Sequence, residues 1–206
     1  MKNIKPSCWP ALRKETDMSD EILIKQCSPT LAGLKTAGLF TMKYQSRDRL
    51  MKDVCDYNHR LNRKGLRLLP LKLEEDAGGA SGSALLYLYR PDRLERDLVQ
   101  KESADILRRF GYTDGSQGRC IQRLIGRLNS GKDFPHEIGL FLGYPPEDVR
   151  GFIENRAGGY KLVGTWKVYG DAENAEKLFK KYRMCTKLYS EQWAKGKSIE
   201  ELSVRI

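Results

Sequence analysis

The chain has 206 residues, 40% of them hydrophobic, so it is long enough and apolar enough to bury one substantial core. No apolar run approaches the ~20 residues that cross a bilayer, and the start lacks the apolar segment of a secretion signal, which predicts a cytoplasmic protein without membrane association. The 37 basic and 27 acidic residues give a net charge of +10, which favours anionic small molecules, nucleic acids or acidic proteins as partners. Most of these charges alternate along presumed helices, which is typical of solvated helix faces.

The cysteines exclude several kinds of site. All five are widely scattered, without any CxxC spacing: Cys8, Cys27, Cys55, Cys120 and Cys185. This argues against a disulfide framework, a zinc cage or an iron-sulfur cluster held by this chain alone. With only two histidines in the chain, no metal site is predicted.

The first elements are short and capped. Residues 1–18 show no sustained period and are predicted to be a loose arm before a single domain at residues 19–206. Asp20 is predicted to cap a short helix through Ile24, and Ser28-Pro29 to start a further helical turn. The pattern then predicts a strand at residues 38–44 and a helix, capped by Ser46, at residues 47–63.

The later segments also alternate between strand and helix patterns. Strand-like runs at residues 66–73 and 84–89 flank a Gly/Ser loop at residues 77–83, as in an antiparallel pair. Residues 160–169 alternate enough to form another strand. Helices are predicted at residues 91–100, 103–110, 116–128 and 171–195, with Ser103, Ser116 and Asp171 as caps. We therefore expect an α+β fold, with a mixed or antiparallel sheet of about four strands covered by helices and a helical insertion at residues 91–155.

The block from Phe134 to Asn155 has three interpretations: a corner of a ligand site, a helix-turn-helix, or a two-helix corner that only packs. The helix-turn-helix would support a nucleic-acid-binding regulator. However, its second helix begins Pro-Glu-Asp and presents two carboxylates where phosphate contacts are needed. Packing is therefore the favoured interpretation of this corner and DNA recognition the least favoured.

Several blocks of the sequence resemble a known family. They are residues 26–40, residues 134–155, Gly-Thr-Trp-Lys-Val-Tyr-Gly at 164–170, Lys-Lys-Tyr-Arg-Met-Cys-Thr at 180–186 and Gly-Lys-Ser-Ile-Glu-Glu-Leu at 196–202. Together they are similar to the domain-of-unknown-function family 3793, found mainly in anaerobic bacteria, over roughly residues 21–204. The resemblance implies no established activity. It also implies that the loop at residues 77–83 is an addition, away from any shared site.

Cys27 is the first candidate for chemistry, because Cys-Ser-Pro-Thr places a thiol at a predicted helix start, where the helix dipole favours the thiolate. It could act as a nucleophile, a redox centre or a metal ligand, or it could be a small buried hydrophobe. Thr30 and Lys35 follow and would suit an anion. Cys185 lies on an apolar helical stripe and is expected to pack in the core.

His136, beside Glu137, could supply acid-base chemistry near neutral pH, or could simply pack near a helix start. Tyr144, Tyr160 and Trp166 could line a pocket for a planar anionic ligand such as a flavin, a nucleotide or a tetrapyrrole, although aromatic strands more often pack within a sheet. No fingerprint identifies a cofactor.

The leading hypothesis is binding, or thiol-dependent transformation, of an anionic small molecule or cofactor in anaerobic redox metabolism. The alternatives are a nucleic-acid-binding regulator and a structural adaptor without a small ligand.

Overall fold

A computed structural model describes residues 18–77, 79–112, 116–131 and 133–206. These residues form a three-stranded antiparallel sheet with helices on both faces and a separate two-stranded hairpin, which confirms the predicted α+β class. Of the predicted arm at residues 1–18, only Met18 is described, and it packs against the core. The rest of the arm lies outside the described residues.

The sheet has its third strand in the middle. Strands β1 (Ala37–Tyr44) and β2 (Arg67–Glu75) both pair antiparallel with β3 (Gly82–Tyr89). The pairing of β2 shifts between Pro70 and Lys72. Such an irregularity suits an edge strand, because proline has no N–H to donate to the ladder. The three strands predicted before residue 90 are thus confirmed.

Helices cover both faces of this sheet. In the described residues they are α1 (Asp20–Leu31), α2 (Arg47–Leu61), α3 (Pro91–Val99), α4 (Lys101–Arg109), α5 (Gln117–Asn129), α6 (Ile138–Phe141), α7 (Pro146–Glu154), α8 (Ala172–Ala194) and α9 (Ile199–Leu202). Successive side chains of a strand point to opposite faces. Accordingly, Leu86 and Leu88 of β3 join the core under α1, α2 and α9, whereas Tyr87 and Tyr89 join the core under α3 to α7.

Helix α1 differs from its prediction. It is one continuous helix capped by Ser19, whose hydroxyl accepts a hydrogen bond from Ile22 N. Ser28 is not a cap: its hydroxyl lies inside the helix and donates to Ile24 O. Pro29 lies in the last turn of α1, so the one hydrogen bond that its missing N–H removes is lost close to the end of the helix. The predicted second helix start at Ser28 is therefore wrong.

Arg90 ties the end of α1 to the rest of the fold. This guanidinium is 1% exposed and donates to Thr30 O at 2.8 Å, Leu31 O at 2.8 Å, Val204 O at 2.7 Å and Lys64 O at 3.1 Å. The last carbonyls of a helix have no partner within it, so a buried cation with several donors satisfies them well. The end of α1 is therefore held in a fixed place.

Two further predictions need correction. The strand expected at residues 160–169 does not join the main sheet: β4 (Leu162–Val163) and β5 (Lys167–Val168) pair only with each other. Ser103 does not cap α4, which already begins at Lys101, and its side chain is buried inside that helix. In contrast, Asp171 caps α8 as predicted, accepting from Asn174 N.

Candidate functional site

A cavity of about 370 Å³ lies between the start of β1, the corner formed by α6 and α7, and the turn of the β4–β5 hairpin. Four residues proposed from the sequence line it together: Lys35, His136, Tyr144 and Trp166. Most of the remaining lining is apolar, including Leu39, Ile138, Leu142, Val149 and Phe152. A mainly apolar cleft of this size with a few polar groups is typical of a small-molecule site.

Two stacked aromatic rings form one wall. The rings of Tyr144 and Trp166 lie 4.7 Å apart at an interplanar angle of 27°, and Phe179 meets Trp166 edge-on at 4.6 Å. Gly164 allows this contact, because a β-carbon there would lie 2.2 Å from the Phe179 ring. Trp166 is only 6% exposed, so the wall is rigidly packed from behind.

Asp148 fixes the position of that wall. Its buried carboxylate accepts hydrogen bonds from Trp166 Nε1 at 2.6 Å, Tyr169 N at 2.7 Å and Gly170 N at 2.8 Å. A carboxylate is costly to bury unless such donors satisfy it. Asp148 thus joins α7 to the hairpin and aligns the indole.

Lys35 supplies a positive charge beside the same wall. Its Nζ lies 5.0 Å from the centre of the Tyr144 ring, a cation–π arrangement. Burial lowers the pKa of Lys35 to about 8, and the negative charge that Cys27 can carry opposes this effect. Within residues 18–77, 79–112, 116–131 and 133–206, no carboxylate pairs with this ammonium. Lys35 is therefore a half-buried cation without a carboxylate partner among these residues.

His136 faces the cavity between aromatic neighbours. The centre of its ring lies 5.8 Å from the centre of the Phe134 ring and 4.9 Å from that of the Phe152 ring. Burial lowers the pKa of His136 below its ordinary value of 6.5, against the opposing effects of Glu137 and Asp133. At neutral pH the imidazole is therefore mostly neutral and can both donate and accept a hydrogen bond.

Glu137 does not act with His136. Its carboxylate is fully buried and turned away, where it accepts from Arg127 Nε at 2.5 Å and from Tyr112 Oη at 3.0 Å. These contacts anchor the turn before α6 to α5. The Pro-His-Glu sequence therefore divides into one residue at the cavity and one in the core.

Cys27 is behind the cavity and does not line it. The thiol lies in the third turn of α1, is 1% exposed, and packs so closely on β1 that a β-carbon at Gly38 would lie 2.6 Å from its sulfur. Burial raises the pKa of Cys27 to about 12, against the smaller opposing effect of Lys35. The expected thiolate-favouring helix start is therefore wrong. Cys185 is also buried, and burial raises its pKa to about 11.

The other two predicted ligand contacts lie at the edges. Thr30 lines a second cavity that adjoins the first at Lys35. Tyr160 is 44% exposed and lines neither cavity, but its ring lies 4.6 Å from Lys167 Nζ, which donates to Ala157 O. Sequence reasoning missed Asp148 as a part of the site, and no local motif marks it. Lys167 also lines the cavity and was not singled out, although it directly follows Trp166.

The corner formed by α6 and α7 has little of the geometry of a helix-turn-helix. Helix α6 has only four residues, and all four are buried. Asp148 in the first turn of α7 points into the protein, towards Trp166. Nucleic-acid binding through this corner stays a prediction without a supporting contact.

The described part of the chain also bears on metal binding and on membrane insertion. There, no group of three or more His, Cys, Asp or Glu side chains is placed to hold a metal ion. No helix in those residues combines the length and apolarity needed to cross a bilayer.

Comparison with known proteins places the chain in a family. Searches among curated proteins and among solved structures find no match. A family model described as "Protein of unknown function (DUF3793)" matches residues 23–203, which is most of the chain. The resemblance seen in the sequence blocks is confirmed, and the chain belongs to the DUF3793 family.

Proposed function

We propose that this protein binds a small anionic molecule with a planar apolar group in the cavity between β1, the α6–α7 corner and the hairpin. The observation that carries the proposal is the position of Lys35. Its ammonium has no carboxylate partner among the described residues and lies beside the stacked rings of Tyr144 and Trp166. One site thus offers a positive charge beside aromatic and aliphatic side chains.

The energetics of Lys35 support an anionic ligand. Moving an ammonium out of water is costly, and the lowered pKa of Lys35 expresses that cost. A bound anion would offset it and would form a charge-assisted hydrogen bond. The aromatic wall would add contact with a ring, since stacked or tilted aromatic pairs attract each other.

Polar groups at the rim would orient such a ligand. The neutral imidazole of His136 can donate or accept, and Gln26 and Thr165 also line the cavity. The proposal includes no covalent step at Cys27, because the thiol is buried, mostly protonated and outside the lining.

Binding of anilinonaphthalene sulfonate tests the proposal, because this probe combines a planar apolar group with a permanent negative charge. We expect saturable fluorescence enhancement with the wild-type chain. Replacing Lys35 by Met removes the charged amino group but keeps an unbranched side chain that is only one atom shorter. We expect Lys35→Met to weaken binding by about tenfold to a hundredfold, the usual value of a hydrogen bond to a charged group.

Two control variants locate the probe. Lys43→Met removes an exposed cation of β1 that does not line the cavity, and Leu188→Lys removes part of the exposed apolar surface of α8. Both should bind the probe as the wild type does. An unchanged affinity in Lys35→Met, or a loss of affinity only in Leu188→Lys, would contradict the proposal.

A further inference from the structure

The three-stranded sheet has two edge strands, β1 and β2, because β3 lies between them. Antiparallel strands bond through alternate residues, and the intervening residues direct their N–H and C=O groups away from the partner strand. An edge strand therefore presents a row of unpaired backbone groups to another chain, unless proline or polar side chains cover them. The two edges of this sheet differ in whether they are covered.

The outer edge of β2 is covered along its first half. Leu68 N donates to Asn58 Oδ1 at 2.8 Å, and Leu68 O accepts from Asn58 Nδ2 at 2.9 Å. Pro70 has no N–H to expose, and Leu71 O accepts from Asn129 Nδ2 at 3.1 Å. Another strand therefore has little to pair with at this edge.

The outer edge of β1 is open. Arg90 N donates to Thr36 O at 3.0 Å, just before β1 begins, and this bond fixes the alternation along the β1–β3 pair. By that alternation, Leu39 and Thr41 direct their N–H and C=O groups outwards. None of these four groups bonds to any part of the chain that the structure describes. The edge therefore offers two successive pairing positions to an incoming strand.

The cavity of the proposed site lies along this open edge. Leu39 lines the cavity and is only half-buried. Gln26 of α1 flanks it on one face of the sheet, and Phe134 and His136 flank it on the other. A groove beside an unpaired edge strand is an arrangement that binds extended peptides, because the backbone pairs with the edge and a side chain enters the pocket.

The two ends of the groove set the direction of such a peptide. Lys35 precedes the start of β1 and lies beside the Tyr144 ring, which stacks on Trp166. Lys43 is exposed near the other end of β1, where a charged side chain disfavours pairing. A terminal carboxylate at Lys35 makes the peptide run antiparallel to β1. This direction continues the antiparallel order of the sheet.

We propose that the protein binds the C-terminus of a partner polypeptide, which adds to β1 as an antiparallel strand. The terminal carboxylate contacts Lys35, the peptide backbone pairs with Leu39 and Thr41, and an aromatic last side chain occupies the cavity. This inference rests on the proposed function and names its ligand, since the planar anionic group is then the last residue of a peptide. The open edge of β1 and the cation at its start together favour a peptide.

Isothermal titration calorimetry with an acetylated hexapeptide tests the inference. The peptide alternates threonine and valine and ends in a phenylalanine with a free carboxylate. We expect saturable binding to the full chain, and binding weaker by about tenfold or more when the carboxylate is replaced by an amide. Lys35→Met should remove the difference between the two peptides, because it removes the cation that distinguishes them.

Backbone pairing is tested by methylating the peptide amides one at a time. Only every second N-methyl group should weaken binding, by about fivefold or more, because the intervening N–H groups point away from β1. In the protein, Thr41→Pro removes one outward N–H, as Pro70 does in β2, whereas Thr41→Val keeps it. Thr41→Pro should weaken the peptide by about fivefold or more and Thr41→Val should change little. Both variants should bind anilinonaphthalene sulfonate as the wild type does, since Thr41 does not line the cavity.

The outcomes separate this inference from the proposed function. Absence of peptide binding, equal affinity of the carboxylate and amide peptides, or N-methyl effects without a two-residue period would overturn the inference alone if anilinonaphthalene sulfonate still binds in a manner that depends on Lys35. If neither ligand shows that dependence, the proposed function fails with it. A dimer of the free chain that Thr41→Pro dissociates would assign the edge to a second copy of the chain and also overturn the inference.

Discussion

Binding of an anion at Lys35 should depend on pH, because the ammonium must be charged to attract it. Burial lowers the pKa of Lys35 from its ordinary value of 10.5 to about 8. A bound anion favours the charged form and should return the pKa towards its ordinary value. Binding is then coupled to proton uptake above about pH 8, and the affinity must fall as the pH rises.

The size of this pH dependence follows from the lowered pKa of Lys35. Below the pKa of the free protein the ammonium is already charged, so the affinity is constant. Above it the affinity falls by about tenfold for each pH unit until the pKa of the complex is reached. Between about pH 7 and about pH 9 we therefore expect a loss of about tenfold. Burial raises the pKa of both Cys27 and Tyr182 to about 12 and lowers that of His136, so these neighbours do not change charge in that interval.

Fluorescence titration with anilinonaphthalene sulfonate measures this loss, because the charge of the sulfonate does not change with pH. Lys35→Arg should bind the probe with little pH dependence, since arginine stays protonated throughout. Lys35→Met should bind weakly at every pH. A wild-type affinity that is constant from about pH 7 to about pH 9, or a decline that persists in Lys35→Arg, would refute the reasoning.

The lowered pKa of Lys35 also affects the stability of the folded chain. The pKa of Lys35 is lower in the folded chain than in the unfolded chain, so the charged form opposes folding below about pH 8. This cost is relieved as the pH rises from about 8 towards 10.5. Lys35→Met should therefore unfold at an equal or higher urea concentration than the wild type at neutral pH, and a marked loss of stability would show that Lys35 has a structural role instead.

Three further predictions concern the framework of the site. Arg90→Met should lower the free energy of unfolding in urea by about 3 kcal/mol or more, because it leaves the buried carbonyls at the end of α1 without donors. Arg96→Met, on the exposed side of α3, should cost little, and equal costs for the two variants would contradict the role assigned to Arg90. Asp148→Asn should lower the free energy of unfolding by about 2–4 kcal/mol and shift the near-ultraviolet spectrum of the Trp166 indole, since a neutral amide accepts less strongly from the three N–H groups. An unaltered spectrum would show that the carboxylate does not position the ring. Gly38→Ala should be strongly destabilising, because its new β-carbon meets the Cys27 sulfur. A double variant with Gly38→Ala and Cys27→Ala should recover about 1–3 kcal/mol of this loss, and strictly additive costs would mean that residues 27 and 38 do not touch.

Local sequence signals predicted most of the fold. The alternation of β1, the strand-like run of β3, the caps Ser46 and Asp171 and the apolar stripe of α8 each depend on neighbouring residues, and all appear in the structure. The hairpin at residues 162–168 was misassigned because alternation marks a strand but not its partner. Helix α1 was divided at Ser28-Pro29 because this pair is a frequent helix start. In the structure the helix continues through both residues.

Sequence reasoning predicted which residues lie at the site better than it predicted what each of them does there. Lys35, Tyr144 and Trp166 combine charge and aromatic surface, and they do line one cavity. The reactivity expected of Cys27 depended on a helix start that is absent. The part played by Asp148 could not be foreseen, because its partners lie 18 to 22 residues further along the chain.

Nuclear Overhauser effects between anilinonaphthalene sulfonate and the protein test the central claim most directly, since they locate the bound ring. The account predicts contacts from the naphthalene protons to the side chains of Trp166 and Tyr144, and their loss in Lys35→Met. Contacts confined to the exposed apolar side chains Met184 and Leu188 of α8, unchanged in that variant, would contradict it.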